Sequence, residues 1–146
     1  MLSLCPMGRI IAIDYGRKRT GLAVTDPLQM IANGLATVPS GQLTAFLTDY
    51  VSHESVERFV VGLPKQMNNE PSENMKYVEA FVTHLKRTFP TIPVTYYDER
   101  FTSVLAHKAM LDGGLRKKKR QDKGLVDEIS AVIILQSYLE NKKYQL

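Results

Sequence analysis

The sequence predicts an α/β domain built on a mixed five-stranded sheet with helices on both faces. Three observations predict it: short apolar runs rich in β-branched residues, segments with apolar residues at helical spacing, and the order in which the two alternate. The chain has 146 residues, with an apolar fraction of 44% and a charged fraction of 23%. These are values of a globular domain and exclude a disordered or disulfide-stapled chain. We expect residues 1–146 to form one domain.

Five segments are predicted to be strands. The first two flank a Gly-Arg-Lys-Arg turn, which predicts a hairpin, and the third follows soon after, which predicts a three-strand antiparallel meander. The last two are separated from it and from each other by helical segments, which predicts parallel pairing. The five segments are 9–15, 20–26, 31–38, 58–62 and 92–97.

Four segments have the apolar spacing of helices: 43–53, 72–89, 102–111 and 122–138. The second has Ser72 as a candidate cap and an inner stripe of Met75, Val78, Phe81, Val82 and Leu85. The predicted order is three strands followed by helices and strands in alternation. This order matches the ribonuclease H-like fold, although other α/β folds also have it.

The positive charge is concentrated in one segment. The chain has a net charge of +4. Residues 116–123 contain six basic residues and one acid, so this segment carries +5 and the rest of the chain −1. A cationic loop of this kind suits a polyanion such as nucleic acid, and the alternative is a solvated loop that aids solubility.

Localisation is predicted from what the sequence lacks. Its one cysteine, Cys5, has no partner within the chain, which fits a reducing compartment. The apolar runs are shorter than the ~20 residues that span a bilayer. Residues 1–7 lack the charged start and apolar core of a signal peptide. We expect a soluble cytoplasmic protein that does not associate with membranes.

Four acids follow or begin predicted elements. Asp14 ends the first strand, Asp98 and Glu99 follow the fifth, and Asp127 lies early in the last helix. Carboxylates that converge on one rim suit Mg²⁺, and two such ions support phosphoryl transfer. Each acid also has a structural alternative: a turn cap for Asp14, a helix cap for Asp98, an ion pair with Arg100 for Glu99, and a macrodipole contact for Asp127.

Four segments resemble the motifs of the YqgF family, also called RuvX, in the family's order. They are Ile13-Asp14-Tyr15-Gly16-Arg17-Lys18-Arg19-Thr20-Gly21-Leu22-Ala23-Val24, Val60-Val61-Gly62-Leu63-Pro64, Tyr97-Asp98-Glu99-Arg100-Phe101-Thr102-Ser103, and Lys123-Gly124-Leu125-Val126-Asp127 followed by Ser130-Ala131. The resemblance runs from Gly8 to Tyr138. Residues 1–7 are expected to be an extension outside it, with Met7 as an alternative start.

The resemblance implies a ribonuclease H-like fold related to the RuvC Holliday-junction resolvases. The family was first described as a resolvase, and its bacterial members are linked to processing of the 5′ end of the 16S ribosomal RNA precursor. It implies metal-dependent phosphodiester hydrolysis with Mg²⁺ or Mn²⁺, two ions in all. By the same resemblance Asp14, Glu99 and Asp127 are the catalytic and metal-binding acids, with Asp98 as second choice.

Basic residues near these motifs are the candidates for nucleic-acid contact. They are Arg17, Lys18, Arg19, Arg100, Arg116, Lys117, Lys118, Lys119, Arg120 and Lys123. Three alternatives remain: a dimeric Holliday-junction resolvase, a non-cleaving factor in ribosome maturation or transcription, and a nucleotide-binding module. The complete set of acids favours cleavage over binding alone. The sequence leaves open RNA against DNA and monomer against homodimer.

Overall fold

A computed structural model describes residues 8–63, 73–98 and 123–144, with side chains from 75 in the second helix and from 128 to 141 in the last. The strands are β1 (Arg9–Asp14), β2 (Arg19–Thr25), β3 (Ala32–Pro39), β4 (Val56–Leu63) and β5 (Val94–Asp98). The helices are α1 (Leu43–His53), α2 (Glu73–Thr88) and α3 (Lys123–Tyr144), and a 3₁₀ turn, Ser40–Gln42, precedes α1. The predicted helix 102–111 lies outside the described residues.

The strands form one sheet in the order β3-β2-β1-β4-β5. The pairs β1–β2 and β2–β3 are antiparallel, and the pairs β1–β4 and β4–β5 are parallel. This confirms the predicted antiparallel meander followed by parallel strands. Strand β1 is central, so the end of β1 has a strand on each side.

The two faces of the sheet carry separate apolar cores. Alternate side chains of β1 point to opposite faces. Ile11 and Ile13 pack against α1 and α2, whereas Ile10 and Ala12 pack against α3. The predicted stripe of α2 is buried apart from Met75, which is half-buried. The expectation of helices on both faces is confirmed.

Helix α3 crosses the sheet from β3 to β5. A Cβ atom at Gly34 of β3 would lie 2.9 Å from Cδ of Glu128, so the start of α3 lies over β3. Near the other end, Tyr138 packs edge-on against Tyr97 of β5 with ring centroids 6.3 Å apart. No helix among the described residues is long and apolar enough to cross a membrane.

Candidate active site

Asp14 is the last residue of the central strand and has glycine on both sides. It pairs with Gly21 of β2. Ile13 pairs with Val61 of parallel β4, and one residue further this register sets Gly62 beside Asp14. Asp14 is half-buried. Neither of these two neighbours has a side chain, so Gly21 and Gly62 place no side-chain atoms next to Asp14.

The Asp14 side chain belongs to the α3 face. Because side chains alternate along β1, Asp14 is on the same face of the sheet as Ile10 and Ala12, and both of these lie in the core beneath α3. Gly62 pairs with Tyr97 of β5, and Tyr97 belongs to that same core. Asp14, Gly62 and Tyr97 therefore form a row across three neighbouring strands on one face of the sheet. Tyr97 is at the β5 end of the row, and Gly62 lies between Tyr97 and Asp14 without a side chain.

The Tyr97 side chain is held in place and is uncharged. Its ring is 8% exposed, and Nδ2 of Asn141 donates a hydrogen bond to its hydroxyl oxygen. Burial raises the pKa of Tyr97, and the negative charge of Glu140 raises it further. The phenol is therefore uncharged at neutral pH and adds no negative charge to this row.

Strand alternation directs Asp98 to the other face of the sheet. Tyr97 belongs to the α3 side, so Tyr96 and Asp98 belong to the α2 side. Tyr96 agrees with this, because burial and then the negative charge of Glu79 on α2 raise its pKa. Asp14 and Asp98 are thus assigned to opposite faces at the same edge of the sheet.

Asp127 lies in the part of α3 that begins near β3. Its backbone is helical, and its side chain lies outside the described residues. Helix α3 begins at Lys123 and has no acid in its first turn, so Asp127 falls beyond it. This weakens the alternative in which the acid is explained by the macrodipole of the first turn.

The rest of the predicted set falls outside the described residues. This holds for Glu99, Arg100 and residues 116–120, and for the side chain of Lys123. Within the described ranges no three His, Cys, Asp or Glu side chains come together as a metal site. Of the four predicted acids, only Asp14 and Asp98 have side chains in those ranges.

Three exposed basic residues follow β1: Arg17 and Lys18 in the turn, and Arg19 at the start of β2. Ser40 fixes this turn from the 3₁₀ segment. Its N–H donates to the carbonyl of Lys18 at 2.9 Å, and its hydroxyl donates to the carbonyl of Gly16. The basic side chains therefore project from a backbone held next to Asp14.

Sequence reasoning missed Tyr77 of α2. The guanidinium carbon of Arg17 lies 4.9 Å from the centroid of the Tyr77 ring. Beside it, Tyr15 stacks on Phe81 with centroids 4.6 Å apart and planes 10° apart. The signal available in the sequence was an aromatic residue four positions before a core phenylalanine, which puts both rings on one side of the helix.

The sheet order and an acid at the end of its central strand define a ribonuclease H-like α/β protein. Known structures agree. The structure titled "T. thermophilus RuvC in complex with Holliday junction substrate" matches with a TM-score of 0.60 and 16% identity, covering 94% of this chain and 96% of that one. A second Thermus thermophilus RuvC structure matches with a TM-score of 0.52. At this identity the likeness shows the fold.

The chain belongs to the RuvX family. The model of that family, described as "RuvX: Holliday junction resolvase", matches residues 8–141. A Parabacteroides distasonis protein is 84% identical over 140 residues, which are 96% of this chain and 100% of the relative. A Bacteroides fragilis protein is 68% identical and covers 94% and 99%. Both are named "Putative pre-16S rRNA nuclease". The family predicted from the four motifs is confirmed.

Proposed function

We propose that the protein is a metal-dependent nuclease that trims the 5′ end of the 16S ribosomal RNA precursor. The observation that carries this is Asp14, a half-buried carboxylate at the end of the central strand, between two glycines. A carboxylate with glycines at both neighbouring strand positions has a ligand type that a hydrated divalent cation prefers, and no side chain of those two residues obstructs an approaching phosphate. The name shared by the close relatives supports this RNA as the substrate.

The acids fit a divalent cation with oxygen ligands. Asp14, Glu99 and Asp127 would hold two Mg²⁺ or Mn²⁺ ions. When bound, such ions activate a water molecule and stabilise the leaving oxygen of the phosphodiester. We assign the second ligand to Glu99 rather than Asp98, because strand alternation directs Asp98 to the face opposite Asp14.

The basic residues would hold the sugar-phosphate backbone of the substrate. Arg17 and Lys18 lie in the turn after Asp14 that Ser40 fixes, and Arg19 is the first residue of β2. We assign the same role to Arg100, Arg116, Lys117, Lys118, Lys119, Arg120 and Lys123. Contacts of this kind position a strand without reading its sequence. Tyr97 closes the β5 end of the row.

A second candidate activity is resolution of Holliday junctions, which the description of the family favours. Paired nicks in a four-way junction need two active sites and therefore a dimer. Removal of a 5′ extension needs one. The two activities make different demands on substrate and assembly, and one assay separates them.

The assay compares substrates under the same conditions. A 16S precursor RNA with its 5′ extension, the same RNA with a mature end, and a four-way DNA junction are each incubated with Mg²⁺, with Mn²⁺ and with a chelator. We expect loss of the extension in either metal and no cleavage with chelator. Paired nicks in the junction with intact precursor RNA would overturn the proposal in favour of a resolvase. Binding without cleavage of any substrate would favour a non-cleaving factor.

A further inference from the structure

We propose that Arg17 and Tyr77 form a clamp for the substrate backbone, which leads the nucleic-acid strand from Asp14 across the sheet edge towards α2. The inference rests on the proposed nuclease function and adds the path of the substrate. Arg17 contacts a phosphate, and Tyr77 is a positioning residue that holds the guanidinium in place.

Two adjacent ring contacts tie the turn after β1 to α2. The guanidinium carbon of Arg17 lies 4.9 Å from the Tyr77 centroid, within the ~6 Å of a cation–π interaction. Tyr15 stacks on Phe81 with centroids 4.6 Å apart. Tyr77 and Phe81 are four residues apart on α2 and so lie on the same side of the helix. The inner pair, half-buried Tyr15 on buried Phe81, anchors the turn, and the outer pair of Arg17 and Tyr77 directs the guanidinium.

The outer pair, Arg17 and Tyr77, is exposed to solvent and can therefore be reached by a ligand. Tyr77 is 44% exposed and Arg17 is exposed, whereas Phe81 is 8% exposed. An arginine that stacks through its planar face keeps its N–H donors at the rim free for a phosphate. In the described part of the chain, no carboxylate forms an ion pair with Arg17. Its charge is available to a polyanion.

The clamp lies across the sheet edge from Asp14. Asp14 belongs to the α3 face, whereas the next residue, Tyr15, packs with the core on the α2 face. Two residues lie between Asp14 and Arg17, so three Cα–Cα steps join them and their Cα atoms are at most roughly 11 Å apart. Phosphates of one strand recur about every 3.4 Å along the axis of a DNA duplex, and we take a spacing of that order for the RNA. Arg17 therefore contacts a phosphate within about three nucleotides of the bond that is cleaved.

A double-mutant cycle tests the coupling of the two side chains. Tyr77→Leu, Arg17→Ala and the double variant are made in Asp14→Asn protein, and binding of labelled precursor RNA is measured by fluorescence anisotropy. We expect a three- to tenfold loss of affinity from each single change, on the order of a cation–π contact or one phosphate contact. The double variant should bind no more weakly than Arg17→Ala alone. Tyr77→Phe keeps the ring and should bind as the parent does.

Two controls separate the clamp from a structural role. Arg87→Ala removes an exposed positive charge from the last turn of α2 and should leave RNA affinity within twofold. Thermal unfolding of each variant shows how much protein is folded. If Tyr77→Leu lowers the unfolding midpoint while the folded protein keeps its RNA affinity, the proposal is overturned. Additive losses in the double variant would overturn the coupling.

The path is tested by neutralising single phosphates of the RNA. Methylphosphonates are placed one at a time around the cleavage position. We expect one position within three nucleotides at which the parent loses affinity and Arg17→Ala protein does not. The absence of any such position would refute the path. All binding is measured in Asp14→Asn protein and needs no cleavage. Wild-type protein that binds RNA and does not cut it would refute the nuclease, whereas the affinities of the Arg17 and Tyr77 variants would still decide for or against the clamp.

Discussion

The glycines near the end of β1 have two different roles, one beside Asp14 and one in the turn that follows. Gly21 and Gly62 leave room beside Asp14, because they sit on the flanking strands without side chains. Gly16 serves a different purpose two residues later. A Cβ there would lie 2.5 Å from the carbonyl oxygen of Arg19, so the turn closes only around a glycine. The same tight turn presents Arg17 to α2.

Gly16→Ala therefore tests whether the turn must close this tightly. We expect its free energy of unfolding to fall by roughly 1–3 kcal/mol, because the obstructing atom belongs to the backbone and cannot rotate away. Gly41→Ala is the matched control, since among the described residues other than Gly41 and its chain neighbours no atom lies within 4 Å of a Cβ at that position. It should change stability by at most about 0.5 kcal/mol. Urea denaturation of both variants measures the difference, and equal stabilities would contradict the account of the turn.

Among the elements, the turn between β2 and β3 is built around one carboxylate. Oδ1 of Asp26 accepts hydrogen bonds from the N–H groups of Met30 and Ile31, both at 2.8 Å, and Oδ2 accepts from that of Leu28 at 3.2 Å. Gln29 adopts a φ of 59° within this turn. These backbone donors, that of Ile31 first, lower the pKa of Asp26. The turn is held by an ionised side chain.

The stability that Asp26 contributes should therefore depend on pH. A carboxyl whose pKa is lower in the native state stabilises the fold above its unfolded pKa of about 3.9 and loses that effect as the pH falls through the native pKa. We expect Asp26→Asn to be less stable than the wild type at pH 6, and the gap to shrink towards pH 3. Chemical denaturation at the two pH values measures the gap. A gap that is constant or wider at pH 3 would contradict this.

Most elements could be predicted from the sequence, and the differences have local causes. Helix α1 has the predicted bounds. Strand β5 begins at Val94 instead of residue 92, because the N–H of Ile92 bonds to the carbonyl of Phe89 and Pro93 has no N–H. Helix α3 runs to Tyr144, beyond the predicted residue 138, and Asn141 in that extension bonds to Tyr97. That contact is tertiary and leaves no periodic signal.

The candidate site was predictable in part. The motif around Asp14 and its place at a strand end were visible in the sequence, because a charged residue closing an apolar strand stands out. The faces of Asp14 and Asp98 depend on which helix covers each side of the sheet, which local patterns do not encode. The contact between Arg17 and Tyr77 joins residues 60 positions apart, and only the fold brings them together.

Across the whole molecule, charge distinguishes the two ends of the central strand. The Asp14 end carries the exposed basic side chains of Arg17, Lys18 and Arg19. At the other end Arg9 is paired with Glu54 at 3.3 Å, and Glu57 is exposed nearby. At the first end the three basic side chains outnumber Asp14 and Asp98, whereas at the second end Glu57 adds a negative charge to the Arg9–Glu54 pair, so a polyanion is attracted more to the first end. The described part of the molecule thus favours approach of nucleic acid at Asp14.

The central claim is that Asp14 binds the metal on which cleavage depends. Asp14→Asn and, as a matched control, Asp49→Asn of the exposed face of α1 are compared in cleavage of 16S precursor RNA over a range of Mg²⁺ concentrations. The account predicts that Asp14→Asn loses at least a hundredfold in rate while still binding the RNA, and that Asp49→Asn cleaves as the wild type does. Metal-dependent cleavage by Asp14→Asn at the wild-type rate would contradict it.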